Sequence, residues 1–244
     1  MKKLFVLFAS VAVALAAASC GPLTYTPSDV DIASISEYAF IEPVADILYY
    51  DSKNKPVYDY ELSDEAADLV ASIISSQRYP FSEMVEMDYD DEDRNVRKWI
   101  QNLGDISTSR LERVRVPEDL RKAIEETGYR YGIVIYSNGY IRSREAIRYE
   151  ERQEAIGNAI GLAIDAIANA SKKKSDEDSG STYHYTTSPE DKTPYDTNLY
   201  CVVIDSQEDR IIHYVHPLPF LENDPLNGRD MESMLTRLLK EFYK

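Results

Sequence analysis

Two histidines spaced three residues apart are the first candidates for chemistry in this sequence. They are His213 and His216, in the segment His-Tyr-Val-His. On a helix this spacing could place both imidazoles together as zinc ligands. Here the segment is typical of a strand that ends at Pro217, and residues three apart on a strand point to opposite faces. A metal ion shared by His213 and His216 is therefore disfavoured. The third histidine, His184, lies in a polar stretch where we expect a solvated side chain.

An acidic run at residues 88–93 invites comparison with a calcium-binding loop. An EF-hand loop needs Gly at its sixth position and Glu at its twelfth. Counted from Asp88, these positions hold Asp93 and Trp99, so the motif is absent. Carboxylates at the start of a predicted helix are stabilised by the helix dipole, which leaves only adventitious divalent binding open. We predict no metal ligands and no cofactor.

Nucleophilic catalysis has little support in the sequence. Cys201 lies in the apolar run 199–204, where burial would raise the pKa of its thiol. Neither a Gly-x-Ser-x-Gly elbow nor a glycine-rich phosphate loop occurs. Among 43 acidic residues, a catalytic pair of carboxylates cannot be singled out. We therefore predict that the protein has no catalytic residues and is not an enzyme, with an envelope hydrolase acting on glycan or peptide as the alternative.

The N-terminus has the pattern of a secretory signal. Lys2 and Lys3 precede an apolar run over residues 4–18, and small residues at 17–19 precede Cys20. With a cysteine at the cut, residues 17–20 resemble the lipobox of a bacterial lipoprotein signal. The resemblance implies cleavage before Cys20 and attachment of lipid, including a palmitate-like acyl chain, to its thiol and new amino group. An ordinary signal peptide with an incidental cysteine is the alternative.

Composition and charge limit the classes of molecule that the protein can bind. Hydrophobic residues make up 43% and charged residues 29% of the 244-residue chain, which is ordinary for a globular protein. The formal net charge is −16, and loss of Lys2 and Lys3 with the signal would bring it to −18. Such an acidic surface repels nucleic acid and anionic lipid headgroups, so we predict neither as a partner. With Cys20 lipidated, Cys201 has no second cysteine for a disulfide.

The order of elements predicts a mixed α/β or α+β domain. We expect a signal peptide at 1–19, a lipidated flexible tether at 20–35 and a single domain at 36–244 with a mobile loop at 172–196. Strands are expected at 38–41, 47–50, 57–60, 79–87, 131–136, 140–141, 199–205 and 210–215. The pair Asn138-Gly139 predicts a hairpin turn. Helices are expected to start near Ser63, Asp91, Pro117, Arg144 and Asp230 and to cover a mixed sheet with antiparallel hairpins.

A helix over residues 155–170 is unusually rich in Ala and Ile. Gly157 and Gly161 form a Gly-x-x-x-Gly pair, which permits close helix approach. The stretch is too short for a confident membrane span, so we expect it to cover the sheet. Packing against another subunit or lying on a membrane surface are the alternatives. The 19 tyrosines suit half-buried strand positions, and they equally suit contact with protein or glycan.

Three segments carry a resemblance to a known class of protein. They are residues 38–43, residues 129–135, and residues 199–214 with the last helix. Their arrangement resembles exported bacterial lipoproteins with a periplasmic α/β domain, of the curli-secretion and TolB N-terminal type. The resemblance implies a non-enzymatic binding or assembly module at the periplasmic face of the outer membrane, with an envelope protein or further copies of itself as partner. Gly21 is not the Asp that retains such proteins in the inner membrane, and strand pairs for pore formation are missing.

Overall fold

The computed structural model describes residues 23–87, 94–103, 106–157, 193–217 and 220–242. Within these ranges the chain forms one mixed sheet of nine strands with helices on both faces. The predicted fold class is confirmed. The strands are β1 (Leu23–Tyr25), β2 (Tyr38–Ile41), β3 (Val44–Tyr50), β4 (Pro56–Tyr58), β5 (Phe81–Val85), β6 (Tyr131–Arg142), β7 (Tyr195–Asp205), β8 (Arg210–His216) and β9 (Phe220–Leu221).

The 12-residue strand β6 is a central strand of the sheet and has neighbours on both sides. Along one side it pairs antiparallel with β7 over its length. On the other side β2 and β3 lie end to end, and both run parallel to β6. Beyond β7 come β8 and then β1, while β5 pairs with β2, β4 pairs with β3, and β9 pairs with the first part of β7.

Helices bury both faces of the sheet. On one face α1 and α6 pack over strand residues such as Phe40 and Val203. On the opposite face, called here the α2–α4 face, three helices pack over residues such as Val134 and Val202. Burial on both sides explains the near-continuous apolar runs in β6 and β7. The helices are α1 (Tyr60–Ser76), α2 (Arg94–Leu103), α3 (Thr108–Leu111), α4 (Glu118–Glu126), α5 (144–157) and α6 (Gly228–Leu238), with short 3-10 turns at Ile32–Ser34 and Lys240–Phe242.

The hairpin of β7 and β8 confirms the predicted turn at residues 206–209. The side chain of Asp205 accepts hydrogen bonds from the backbone N–H groups of Gln207 (3.1 Å) and Glu208 (3.2 Å). Arg130 donates to the same carboxylate, from Nε to both oxygens (3.0 and 3.1 Å) and from Nη2 to Oδ2 (2.5 Å). Asp205 is buried and Arg130 partly exposed, so the turn is fixed to the start of β6 by a charge-assisted contact.

The turn predicted at Asn138-Gly139 is wrong. Both residues lie inside β6, where Asn138 pairs with Asp46 on one side and with Asn198 on the other. A Cβ at Gly139 would overlap the carbonyl oxygen of Asp196 on β7. Glycine is therefore required by a close approach of two strands and not by a turn, because pairing on both sides overrides the local Asn-Gly preference.

The predicted flexible tether at 20–35 is also wrong over its described part. Leu23 to Tyr25 form β1, and Leu23 pairs antiparallel with His216 of β8. A 3-10 turn capped by Asp31 follows. The chain therefore joins the sheet three residues after Cys20. Residues 172–192 of the predicted loop lie outside the described residues, and its last two, Tyr195 and Asp196, belong to β7.

Two helix starts differ from the predicted caps. The side chain of Asp59 caps α1, and the predicted cap Ser63 lies one turn inside, where its hydroxyl accepts from Ile47 N at 2.9 Å. Asn227, and not Asp230, caps α6. In each case the side chain that accepts the free N–H groups precedes the predicted one by three or four residues.

The helix expected at 155–170 does not cover the sheet in its described part. Helix α5 follows β6 directly, and Ala146 in its first turn is fully buried. Ala155, Ile156 and Gly157 are exposed, with Ile156 at 53%. Packing thus holds the beginning of α5 and not residues 155–157, and residues 158–170 lie outside the described residues. None of the described helices is long and apolar enough to cross a membrane.

Candidate binding surface

The two histidines singled out by the sequence lie on opposite faces of the sheet, as predicted. The His213 ring is fully buried on the α1–α6 face, edge-on to Phe242, and its Nδ1 lies 2.7 Å from Thr26 Oγ1. The His216 ring lies on the α2–α4 face and stacks on Tyr200 with centroids 4.2 Å apart. Burial lowers the pKa of both imidazoles, so each favours its neutral form.

Of the remaining sequence candidates, Cys201 lies within the described residues. Cys201 is fully buried in β7, and burial raises the pKa of its thiol well above the ordinary value, so it remains protonated. Cys20, His184 and the acidic run at 88–93 lie outside the described residues. Within the described ranges, no group of three metal-ligating side chains comes together.

A polar cluster on the α2–α4 face was not found from the sequence, and its centre is Asp46 of β3. The carboxylate accepts from Tyr58 Oη on one oxygen (3.0 Å), and from Gln101 Nε2 and Tyr136 Oη on the other (both 2.8 Å). The side chain of Asp46 is 14% exposed. Its only sequence signal is a charge inside an apolar strand. The donors come from β4, α2 and β6, which are far apart along the chain.

Arg97 of α2 completes this Asp46 cluster. Its Nη2 donates to the backbone oxygen of Ala45 (2.9 Å) and to Tyr58 Oη (2.6 Å), and lies 3.4 Å from Asp46 Oδ1. Burial, followed by the charge of Asp46, raises the pKa of Tyr136; burial likewise raises the pKa of Tyr58. Both phenols therefore stay protonated and can donate to the carboxylate. The cluster fixes three strands and a helix relative to one another.

Beyond the Asp46 cluster the sheet continues into a surface of tyrosines and amides, called here the aromatic end. The rings of Tyr50 and Tyr140 meet edge to face at 5.4 Å. The Arg142 guanidinium lies 5.3 Å from both ring centroids and pairs with Glu150 of α5 at 3.0 Å. The strand register places on the same face the side chains of Leu48, Tyr50, Tyr58, Asn138, Tyr140, Asp196 and Asn198.

Asp196 of the aromatic end holds an unused acceptor. Burial raises the pKa of its carboxyl, and the buried Oδ1 has no hydrogen-bond partner among the described residues. On the neighbouring strand Tyr140 Oη lies 2.9 Å from Thr193 Oγ1. The surface therefore combines flat aromatic rings, amides and a carboxyl group with one oxygen free to accept a hydrogen bond. This combination suits contact with an amphipathic partner.

Two of the clefts elsewhere among the described residues lie beside β5 and beside β1. A cleft of about 380 Å³ beside β5 is lined by Phe40, Tyr79 and Phe81 and holds one acid, Glu83. A second, of about 260 Å³ beside β1, is lined by Asp29 and Glu112, and Asp29 pairs with Arg210 at 3.0 Å. The first cleft therefore holds a single carboxyl, and in the second one of the two carboxylates is paired with an arginine.

Comparison with known proteins gives matches among solved structures and none by sequence. No family model matches the sequence, and no curated protein matches it. Among solved structures, the chain is similar to PelC dodecamers from Paraburkholderia phytofirmans in two crystal forms, one of them a point variant. Each match has a TM-score of 0.35 and 8% sequence identity. Both alignments cover 91% of this chain; they cover 97% of the PelC variant's chain and 96% of the other PelC chain. The resemblance to curli-secretion and TolB-type lipoproteins stays a prediction.

Proposed function

We propose that the protein is a non-enzymatic lipoprotein of the bacterial envelope, anchored through lipid on Cys20 at the periplasmic face of the outer membrane. The observation that carries this proposal is the sequence at the N-terminus, where a basic start, a short apolar run and three small residues precede Cys20. The first described strand starts at Leu23, three residues after the proposed anchor.

The aromatic end is the proposed contact surface of this module. Its tyrosines have few rotatable bonds, and the Asp46 cluster holds two neighbouring phenols, so binding would order few side chains. Asp46 uses both oxygens as acceptors, so it is committed to structure and is not a free general acid or base. An envelope partner or a further copy of the chain would meet this surface.

The two cysteines of the chain offer a matched test of the anchor. Cys20→Ala should release the protein into the soluble envelope fraction, because a diacylglycerol with an added acyl chain binds membranes far more firmly than one chain. Cys201→Ala removes the other thiol, which is buried, and should leave the protein in the membrane fraction. Retention of the Cys20→Ala protein in salt-washed membranes would contradict the proposal.

A further inference from the structure

We propose that His213 is a pH-sensitive clamp: protonation lets its ring bind Glu241 as well as Thr26, and so ties the chain after β1 to the 3-10 turn at Lys240–Phe242. The inference goes beyond the proposed function and does not depend on lipid at Cys20. Three observations carry it: the position of the ring, the unsatisfied ring nitrogen, and the charges around it.

The ring of His213 lies between two segments that are far apart in the chain. It belongs to β8 and is fully buried. On one side its Nδ1 lies 2.7 Å from Oγ1 of Thr26, in the segment that follows β1. On the other side its Nε2 lies 3.7 Å from Oε2 of Glu241, and the ring meets Phe242 edge-on with centroids 5.9 Å apart. One imidazole thus borders both segments.

The Nε2 atom of His213 is unsatisfied while the ring is neutral. It is buried and has no hydrogen-bond partner among the described residues. In one neutral tautomer Nε2 carries the proton, and the Glu241 carboxylate at 3.7 Å is too far away to accept it. In the other tautomer the Nε2 lone pair faces that carboxylate. Protonation places a proton on both nitrogens, so Glu241 becomes the acceptor that Nε2 lacks.

The Glu241 side chain can close the remaining gap. Charge-assisted N–H···O bonds are about 2.7–2.9 Å long, so the carboxylate needs to move by about 1 Å. The side chain is 43% exposed and therefore has room to move. Thr26 and Glu241 both line a cleft of about 360 Å³, together with Asp31. Movement of Glu241 toward the ring would narrow this cleft and join its two walls through the imidazolium.

The charges around the ring favour Glu241 as its partner. Asp31, the acid that lines the cleft from the N-terminal side, is already engaged as the cap of a 3-10 turn. Cys201 of β7 and Tyr38 of β2 lie on the same face of the sheet, and burial raises the pKa of both, so each stays neutral. Lys240 lies beside Glu241 and is exposed.

The clamp responds in the acid range. Burial lowers the pKa of His213, and the charge of Glu241 offsets part of that effect. The clamp therefore closes below about pH 6.5, the ordinary value for an imidazole. The domain as a whole still loses stability there, because the offset is incomplete. Acid thus tightens one contact while it weakens the fold.

Nuclear magnetic resonance of the histidine rings tests the clamp. The full chain carrying Cys20→Ala is the reference, and substitution to Gln assigns each of its three histidines. Glu241→Gln should lower the pKa of His213, because a neutral amide attracts the imidazolium less. The matched control Glu145→Gln removes an equal charge from an exposed site beyond the far end of β6 and should leave that pKa unchanged. An unchanged pKa in Glu241→Gln, or loss of the native signal before His213 titrates, would overturn the inference.

Amide hydrogen exchange tests whether the ring ties the two segments together. The backbone N–H groups of Ile35 and Phe242 are hydrogen-bonded at the two 3-10 turns. Below the midpoint of His213 both should exchange more slowly in the reference chain than in Glu241→Gln, and at neutral pH equally fast. In a Thr26→Val background Glu241→Gln should alter exchange at Phe242 and no longer at Ile35. Equal exchange at acid pH with and without Glu241, or an effect on Ile35 that survives Thr26→Val, would overturn the clamp.

Discussion

Removal of the Asp46 carboxylate should destabilise the domain, because three donors converge on it from β4, α2 and β6. In Asp46→Ala the hydroxyl of Tyr136, a residue only 4% exposed, loses its acceptor at 2.8 Å. Tyr58 and Gln101 lose theirs as well. Arg97 keeps its contacts with the Ala45 backbone and Tyr58, so its charge is not left bare.

The expected loss follows from the burial of each donor. A buried group left without a partner costs about 1–3 kcal/mol, and that applies to Tyr136. Tyr58 and Gln101 are partly exposed and can bind water, so each should add only a fraction of a typical net hydrogen bond. We expect the free energy of unfolding to fall by about 2–4 kcal/mol.

Urea unfolding of the Cys20→Ala form, followed by fluorescence of the single tryptophan, Trp99, measures this loss. Trp99 lies on α2, the helix that the cluster binds to the sheet, so its signal reports the contact. Asp46→Asn keeps the shape and one acceptor oxygen and should lose less, while Glu83→Ala, an exposed acid on β5, should change little. A loss below about 0.5 kcal/mol for Asp46→Ala would refute the structural role of the cluster.

Two further predictions concern packing and pH. Gly139→Ala should destabilise the domain because its Cβ would overlap the Asp196 carbonyl oxygen. The control Gly157→Ala, exposed on α5 with open space around it, should be neutral or slightly stabilising. Equal melting temperatures for the two variants would contradict the close approach of β6 and β7. Burial lowers the pKa of His213 and His216, so the unfolded chain binds more protons below about pH 6.5, and unfolding free energy should fall as the pH drops through that range. Urea midpoints across this range should fall less steeply for His213→Gln than for the unsubstituted chain, and identical slopes would exclude His213 as a source of the effect.

The core strands could be predicted because their local pattern agrees with their tertiary setting. Residues 131–136 and 199–205 are apolar runs, and both strands are buried on two faces. The continuation of β6 through Asn138 and Gly139 could not be predicted, since the local Asn-Gly preference favours a turn. Strands β3 and β7 hold that segment extended from both sides, and no short-range pattern reports such pairing.

The Asp46 cluster likewise could not be predicted from local sequence patterns. Asp46 is visible in the sequence as a charge within an apolar strand, and such a residue needs partners. Its partners Arg97 and Tyr136 lie 51 and 90 residues further along the chain, so only the fold identifies them. Strand β1 is comparable: three residues gain their place by pairing with β8, and nothing local distinguishes them from a tether.

Mass spectrometry of the N-terminal peptide, from protein extracted from native membranes, tests whether Cys20 is lipidated. We expect a peptide that begins at Cys20 and carries a diacylglyceryl group on the thiol and an acyl chain on the amino group. An unmodified Cys20, or a mature chain that begins elsewhere, would contradict it.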